Sequence, residues 1–316
     1  MTTHSSKPAG PGPQLVVLAA GVGRRYGGGK QTETIGPFGE TIVEYSVYDA
    51  LRQGFAEVIF VIRREMEHDF RAGTCRFVEE RTRTRYMFQS LDDLPEGFEL
   101  PLHRSKPWGT GHALRCVRGA VDGPFAVINA DDFYGKHCYR AMSDFLAQAS
   151  ESRGRYGIVG FRLADTLSEH GEVARGICEI TSDGSLGGIV ERARVRRFPE
   201  GVRYATPKGD WKAIPGESVV SMNMWGFTPD LFEHLEAELR VFLERKGTDP
   251  EAELYLPEVV GSLIRDGRAS VKVLSAEGRW FGLTNREDRI AARRSIRDLV
   301  EAGSYPSPLW GPRDAG

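Results

Sequence analysis

Cysteine is scarce in this chain, which has four cysteines among 316 residues. They are Cys75, Cys116, Cys138 and Cys178. They form no CxxC pair and no Cys/His group with the spacing of zinc ligands, so neither a zinc site nor a disulfide framework is indicated. Unpaired cysteines are typical of a reducing compartment, and we therefore expect a cytoplasmic protein.

The sequence also lacks a strong net charge and long apolar runs. Its 42 basic and 44 acidic residues leave a net charge of -2, which excludes a general attraction to nucleic acid or to anionic membranes. No apolar run approaches the roughly 20 residues of a membrane span, and the first residues lack the order of a signal peptide. We therefore expect small-molecule substrates and neither a nucleic-acid nor a membrane partner. No feature of the sequence specifies an oligomeric state.

Internal repeats are missing as well, including the hexapeptide period of a β-helix, so a solenoid is excluded. The hydrophobic share of 40% suffices for one large domain, which we expect over residues 15–302. Residues 1–14 are rich in Pro, Gly and Ser and are predicted to form a disordered tail. Residues 303–316 have similar composition and are predicted to be a loose C-terminal extension.

Strand and helix patterns alternate in residues 15–150. Short β-branched runs at Gln14–Ala20 and Ala56–Ile62 flank a helical pattern that Gly54 terminates. A helix is then predicted over Gly111–Val121, followed by the buried strand PFAVINA, which ends at Asp131. This order predicts an α/β fold with a Rossmann-like, mostly parallel sheet and helices on both faces.

Residues 151–302 show a different pattern, with short strands first and helices afterwards. The runs RYGIVGFRL, GICEIT, GGIVERARV and VVSMNMWGF predict a mixed sheet in this half. Three helical segments follow, and the last is predicted to begin at a capping box formed by Thr284 and Glu287. Between strands and helices, the loop from Pro199 to Pro215 is long enough to serve as a specific lid.

A glycine-rich, cationic loop follows the first strand, in the stretch LVVLAAGVGRRYGGGK. Such a loop can direct backbone N–H groups at a phosphate chain while Arg and Lys supply the countercharge. A Walker A loop is excluded because Arg24 and Gln31 stand where it needs Gly and Ser or Thr. A dinucleotide fingerprint is disfavoured because Tyr26 occupies the place of its third glycine. A simple tight turn would explain the glycines but not the pair Arg25 and Lys30.

The loop resembles the LAAGxGxRxxxxxPK signature of the sugar-1-phosphate nucleotidyltransferases, with a spacer two residues shorter and Gly29 in place of the proline. The resemblance implies that Arg25 neutralises a triphosphate and that Lys30 stabilises the transition state. It also implies nucleotide contacts from Ala20, Gly21 and Gly23. The remaining motifs of this family follow in the same order along the chain.

The segment SKPWGTGHAL resembles the GTGHA element of the N-acetylglucosamine-1-phosphate uridylyltransferases, whose backbone meets the base. The resemblance gives this role to Gly109, Thr110 and Gly111. Alternatively, the segment is an ordinary helix start in which Thr110 is the N-cap. Members of that group place a Gln where this chain has Arg104, which cannot both donate and accept hydrogen bonds. The GTGHA resemblance keeps UTP as the first choice, while Arg104 leaves dTTP, CTP and GTP open.

Two further motifs imply a metal site. VINADDFYG resembles the strand whose acid holds Mg²⁺ against the nucleotide phosphates, which gives that role to Asp131 and a supporting one to Asp132. WFGLTNREDR resembles the element that supplies the second metal ligand, for which Asn285 is the candidate. Thr284 and Asn285 equally suit the helix cap described above. The implied cofactor is Mg²⁺.

Two more motifs imply a sugar site. IVERARV resembles the IxEK element whose glutamate binds sugar hydroxyls, which assigns that role to Glu191, with Arg192 replacing the lysine. SMNMWGF resembles the NxGIY strand and places Asn223 in the sugar pocket. On this resemblance residues 15–150 form the nucleotide-binding half and residues 151–302 the sugar-binding half. Arg192, Arg194 and Arg196 have the period of a solvated strand face.

The resemblance implies a Mg²⁺-dependent enzyme that condenses a nucleoside triphosphate with a sugar 1-phosphate, giving a nucleotide sugar and pyrophosphate. A cytidylyltransferase for a phosphorylated polyol or aminoalcohol shares the first loop and the Lys30–Gln31 pair, but would not need Glu191 and Asn223 together. A non-catalytic nucleotide-sugar sensor is the other alternative. Such sensors tend to lose the lysine or the metal acid, and this chain keeps Lys30 and Asp131.

Overall fold

The computed structural model of the protein describes residues 12–21, 33–149, 152–169, 171–275, 278–283 and 287–311. Its strands are β1 (Gln14–Leu18), β2 (Glu57–Ile62), β3 (Arg83–Phe88), β4 (Phe125–Asn129), β5 (Asp132–Phe133), β6 (Arg155–Arg162), β7 (Val173–Ile180), β8 (Leu186–Phe198), β9 (Gly201–Ala205), β10 (Trp211–Ala213), β11 (Val219–Phe227), β12 (Ser270–Ser275) and β13 (Phe281–Gly282). Its α-helices are α1 (Ile42–Arg52), α2 (Glu67–Phe70), α3 (Arg76–Glu79), α4 (Thr110–Arg115), α5 (Lys136–Ala149), α6 (Leu231–Lys246), α7 (Leu256–Arg265) and α8 (Asp288–Glu301).

One mixed sheet runs through both halves of the chain, in the order β10-β9-β8-β7-β11-β4-β1-β2-β3, with β6 and β12 joined to it through β11. The strands β4, β1, β2 and β3 pair in parallel, as do β6 and β12. The strands from β7 to β11 pair antiparallel. The prediction of a mixed α/β sheet with helices is confirmed, and the four strands predicted in the second half are β6, β7, β8 and β11.

Helices cover both faces of the sheet because side chains alternate along the buried strands. In β1, Leu15 and Val17 join one core cluster with α1 and α5, whereas Val16 joins a second cluster with α4, α6 and α7. The helix α1 begins with the capping box of Thr41 and Glu44. After α1, Gly54 adopts a φ of 89°, in agreement with its predicted role as the helix stop.

Three local predictions are wrong. The helix predicted over Gly111–Val121 ends at Arg115. After it, backbone N–H groups bond to carbonyls three residues earlier instead of four, and Gly119 has a positive φ. The predicted loop from Pro199 to Pro215 contains the β9–β10 hairpin, which extends the edge of the sheet. The helix α8 begins at Asp288, so Glu287 precedes the helix and makes no capping hydrogen bond, while Thr284 lies outside the described residues.

Residues 304–311 are not loose, in contrast to the expectation for the C-terminal segment. Tyr305 and Leu309 are buried in a third cluster against α1 and α8. The Tyr305 hydroxyl donates to the Asp49 carboxylate at 2.6 Å, and the Trp310 indole donates to Glu44 at 3.2 Å. Residues 304–311 therefore form a C-terminal strap, which packs on α1 and holds it in position. Across the described residues, no helix combines the length and the apolar character that a membrane crossing requires.

Candidate active site

A cavity of about 920 Å³ opens where the parallel and antiparallel parts of the sheet meet. Four of the predicted site residues line it: Thr110, Asp131, Glu191 and Asn223. They come from four separate segments of the chain, so the fold brings together the motifs that the sequence presents in series. Ligands of open α/β sheets occupy this type of crevice, beyond the carboxyl ends of the parallel strands.

The glycine-rich loop leaves the sheet beside the strand that carries the acidic motif. Ala20, which is buried, and Gly21, which is exposed, follow β1, and the Leu18 carbonyl accepts a hydrogen bond from the Ala130 N–H at 3.1 Å. The predicted roles of Gly23, Arg25 and Lys30 fall outside the described residues and stay predictions. The described start of the loop lies next to the end of β4, which precedes Asp131.

Asp131 and Asp132 differ in environment although they are adjacent. Asp132 is buried, and its carboxylate accepts a hydrogen bond from the Asn129 side chain at 2.9 Å. Asp131 is more accessible and lines the cavity. Its carbonyl accepts from the Leu283 N–H at 3.0 Å, two residues before Asn285 in the sequence. Asn285 itself lies outside the described residues, and its role as a metal ligand stays a prediction.

Asn223 occupies an irregularity in β11. The register with β6 shifts between Ser221 and Trp225, and Asn223 has a φ of 61°, which asparagine tolerates better than most residues. Its side chain accepts from the Trp225 indole at 2.9 Å and donates to the Asn129 side chain at 2.6 Å. Since Asn129 also donates to Asp132, a chain of hydrogen bonds joins the predicted sugar residue to the acidic motif.

Glu191 extends into the cavity from β8, opposite Gly176 on β7. A Cβ atom at Gly176 would lie 3.3 Å from the Glu191 carboxylate, so the glycine leaves the space that this carboxylate uses. The protein walls reduce hydration and raise the pKa of Glu191, while the positive charge of Arg175 opposes this rise. Glu191 is suited to accept hydrogen bonds from a polar ligand.

The GTGHA segment packs tightly on the start of α7. The Gly111 N–H donates to the Leu254 carbonyl at 2.9 Å, and a Cβ atom at Gly109 would lie 2.6 Å from the same carbonyl oxygen. Gly109 is the N-cap of α4, so Thr110 is not the cap; its hydroxyl accepts from the Leu256 N–H at 2.9 Å. Close packing accounts for both glycines, and contact of this segment with a base stays a prediction.

Arg104 lies beside this segment and is buried. Its guanidinium donates to the carbonyls of Asp249, Pro107 and Ala252 and stacks on Trp108, with 3.4 Å between its central carbon and the ring centroid. The side chain therefore binds one loop to another. This structural use is consistent with the expectation that Arg104 does not replace a base-reading glutamine.

Sequence reasoning missed several residues of the cavity wall, among them Arg175, Tyr255, Glu258 and Trp280. For Arg175 the sequence offers only a weak signal, a charged residue in the otherwise uncharged strand segment VARGIC. Tyr255 and Glu258 offer no sequence signal for a place in the cavity. They belong to a segment that the sequence identifies only as a helix, and they reach the cavity because of the way α7 packs.

Another group of possible metal ligands consists of Asp93, His112 and Cys116, none of which lines the cavity. Its carboxylate is already paired with Arg115 and Arg118, at 3.0 and 2.9 Å. Burial raises the pKa of the Cys116 thiol to about 12 and lowers that of His112. A cation here would compete with two guanidinium groups and would need a disfavoured thiolate, so the group is better explained as packing.

Comparison with known proteins shows a family match in the first third of the chain and a shared fold over most of it. Residues 15–94 match the family of MobA-like NTP transferase domains. The fold matches the inositol-1-phosphate CTP transferase from T. maritima with a TM-score of 0.59 and 12% identity, covering 92% of this chain and 98% of that one. It matches a UDP-glucose pyrophosphorylase complexed with UDP-glucose with a TM-score of 0.58 and 16% identity, covering 91% and 99%.

Among curated proteins, the chain is similar to the bifunctional protein GlmU of Hyphomonas neptunium (strain ATCC 15444), with 26% identity over 209 residues. The match covers 64% of this chain and 39% of the relative, so the chain spans about two fifths of that protein. The family match is confined to residues 15–94, and the solved structures show that the chain has the fold of nucleotidyltransferases. The predicted resemblance is confirmed.

Proposed function

We propose that the protein transfers a nucleotidyl group from a nucleoside triphosphate, UTP first, to a sugar 1-phosphate. The observation that carries the proposal is the convergence of Thr110, Asp131, Glu191 and Asn223 on one cavity. These residues belong to separate motifs of the family, so their meeting supports a common substrate site. The resemblance of the GTGHA segment to the N-acetylglucosamine-1-phosphate uridylyltransferases supports a sugar 1-phosphate as the acceptor.

In the proposed reaction, an oxygen of the acceptor phosphate attacks the α-phosphorus of the triphosphate. The bond from that phosphorus to the bridging oxygen breaks, and pyrophosphate leaves with the electron pair. The acceptor phosphate is already ionised near neutral pH, so no general base is required. Positioning and charge stabilisation dominate this type of transfer, and the proposed roles are Arg25 on the triphosphate and Lys30 on the departing charge.

A divalent cation fits the donors at the acidic motif. Asp131 offers carboxylate oxygen to the cavity, and the hydrogen bond from Leu283 to its carbonyl supports the approach of the segment that contains Asn285. Hard cations such as Mg²⁺ prefer oxygen ligands and retain waters, so two side chains suffice. Bound there, Mg²⁺ would neutralise phosphate charge. The four cysteines are free and buried, which supports the proposed cytoplasmic location.

A cytidylyltransferase acting on a polyol phosphate is the second candidate function. Its basis is the shared first loop with the Lys30–Gln31 pair, together with the fold that the chain has in common with the inositol-1-phosphate CTP transferase. The two candidates differ in the acceptor that the Glu191 and Asn223 side of the cavity would hold. Sugar hydroxyls and polyol hydroxyls make similar hydrogen bonds, so substrate testing has to separate them.

The proposal is tested by measuring pyrophosphate release with Mg²⁺ over a grid of nucleoside triphosphates, sugar 1-phosphates and phosphorylated polyols, with product identification by mass spectrometry. We expect release with UTP and one sugar 1-phosphate. The Lys30→Ala variant is the control, with turnover expected to fall by about 10²–10⁴-fold. Release only with CTP and a polyol phosphate would favour the second candidate, and silence across the grid with nucleotide binding retained would contradict both.

A further inference from the structure

Arg175 is a buried cation in the wall of the cavity. Its side chain comes from β7, is 8% exposed, and lies over Trp280 with 5.1 Å between the guanidinium carbon and the ring centroid. The guanidinium donates to the Thr166 hydroxyl at 3.0 Å, to the Ala174 carbonyl at 2.7 Å and to the Thr166 carbonyl. These contacts fix its position.

The charge of Arg175 has no direct counterion in the part of the chain that the structure describes. A guanidinium has five N–H donors, and the three bonds here all go to neutral oxygens, which leaves two donors without an acceptor among the described residues. Asp132, Glu191 and Asp288 attract it only from beyond ion-pair distance, and burial lowers the pKa of Arg175 to about 10, so it stays charged at neutral pH.

Of two other buried arginines, one has ion-pair partners and the other does not face the cavity. Arg115 forms ion pairs with Asp93 at 3.0 Å and with Glu236 at 2.5 Å. Arg104 has only carbonyl acceptors, but it does not line the cavity and it joins two loops. Leaving a charge buried without a partner is costly, so an unpaired cation that faces a large cavity indicates that a ligand supplies the anion.

The position of Arg175 in the sheet indicates which ligand would supply the anion. It precedes Gly176, which pairs with Glu191 on β8 and with Ser221 on β11, the strand of Asn223. Arg175 therefore belongs to the antiparallel strands of the cavity wall, which also carry Glu191 and Asn223. We propose that Arg175 binds the phosphate group of the acceptor and holds it toward the site of attack. This assignment rests on the proposed transferase function.

The first test is kinetic and uses the substrate pair found in the grid. Arg175→Gln should raise the acceptor KM by roughly 10- to 100-fold, the range expected for lost hydrogen bonds to a charged group, while the triphosphate KM changes less than about twofold. Arg175→Lys, which keeps the charge but not the fork of donors, should show a smaller rise. Arg194→Gln is the matched control, because Arg194 is exposed and pairs with Glu172.

The second test is direct binding, which does not need turnover. Isothermal titration with α-D-glucose 1-phosphate, inorganic phosphate and glucose is done on the wild type, Arg175→Lys and Arg175→Gln. We expect the wild type to bind both phosphate probes, and both variants to bind them more weakly. The lysine variant keeps the test valid if the glutamine variant does not fold.

Three results would overturn the assignment: unchanged acceptor KM and phosphate affinity in both variants, a rise confined to the triphosphate KM, or no binding of either phosphate probe by the wild type. A grid without pyrophosphate release would contradict the transferase proposal. Weaker phosphate binding in the variants would still support Arg175 as an anion-binding residue in that case, so the two failures are distinguishable.

Discussion

Single residues at the end of β4 and in β11 create the polar part of the cavity. Asn223 can reach Asn129 because the irregularity in β11 gives it a left-handed backbone conformation, with a φ of 61°. Asn129 then holds the buried Asp132, and Asp131 is left to line the cavity. The structure thus gives two adjacent acids different surroundings, which is the basis for assigning them different roles.

A substitution at Asp131 tests this difference. Asp131→Asn keeps the size of the side chain but removes the charge that we assign to the cation, so turnover should fall by about 10²–10³-fold and Mg²⁺ stimulation should weaken. The measurement is pyrophosphate release as a function of Mg²⁺ concentration. Asp144→Asn, on the exposed face of α5, should behave as the wild type. A fully active Asp131→Asn enzyme with the wild-type Mg²⁺ dependence would rule out Asp131 as the ligand.

Asp49 predicts a pH dependence of stability. Burial raises its pKa to about 7, against the opposing effects of the Tyr305 hydrogen bond, Lys136 and Arg52. Between about pH 4 and pH 7 the folded protein therefore holds a proton that the unfolded chain has released, so the free energy of unfolding falls as pH rises, by at most about 1.4 kcal/mol per unit. Thermal melts across this window should show a smaller decline for Asp49→Asn than for wild type. An equal fall in melting temperature for both proteins would contradict the raised pKa of Asp49.

At the scale of elements, residues 304–311 pack on α1, the helix that connects the parallel strands β1 and β2, and stabilise it. Leu309 is 1% exposed and belongs to the cluster that contains Tyr45 and Ile296. We expect Leu309→Ala to lower the free energy of unfolding by about 2–5 kcal/mol, as for other buried leucines. Urea unfolding measures this change. Leu102→Ala is the control, since Leu102 is 92% exposed, and an equally small effect of both substitutions would show that the strap does not hold α1.

Elements with a clear hydrophobic period could be predicted from the sequence. The strands β6, β7, β8 and β11 and the helices α6, α7 and α8 stand where their patterns indicate them. The β9–β10 hairpin was missed because Lys, Arg, Gly and Pro dilute its strand pattern, while its stability comes from contacts such as Phe198 with Trp211. The length of α4 was overestimated because the turns that follow the helix have the same spacing of apolar residues. In both elements the observed structure depends on packing against residues that are distant in the sequence, which a local pattern does not show.

The order of the site motifs could be predicted as well, but not the way the cavity is assembled. Sequence resemblance identified Asp131, Glu191 and Asn223, and the structure brings them together. Arg175 could not be assigned from the sequence, because an arginine in a strand has no evident partner until the neighbouring strands are known. The tight packing of Gly109 and Gly111 on Leu254 was equally invisible, since it depends on a contact across more than 140 residues.

At the scale of the whole molecule, one sheet joins a parallel part that carries the glycine-rich loop to an antiparallel part that carries Glu191 and Asn223. The cavity lies at their junction, so a donor held by one part and an acceptor held by the other would meet there. The MobA-like match covers residues 15–94, in the parallel part. The antiparallel part is therefore where we expect the choice of acceptor to be made.

The reverse reaction tests this account most directly, because transfer to a phosphate acceptor is reversible whereas hydrolysis and simple binding do not consume pyrophosphate. The measurement is Mg²⁺-dependent formation of nucleoside triphosphate from pyrophosphate and a panel of nucleotide sugars, with the Lys30→Ala variant in parallel. We predict that one UDP-sugar yields UTP and the sugar 1-phosphate in equal amounts, and that the variant is slower by about 10²–10⁴-fold. Tight binding of a nucleotide sugar without any triphosphate formed would contradict the transferase and indicate a sensor.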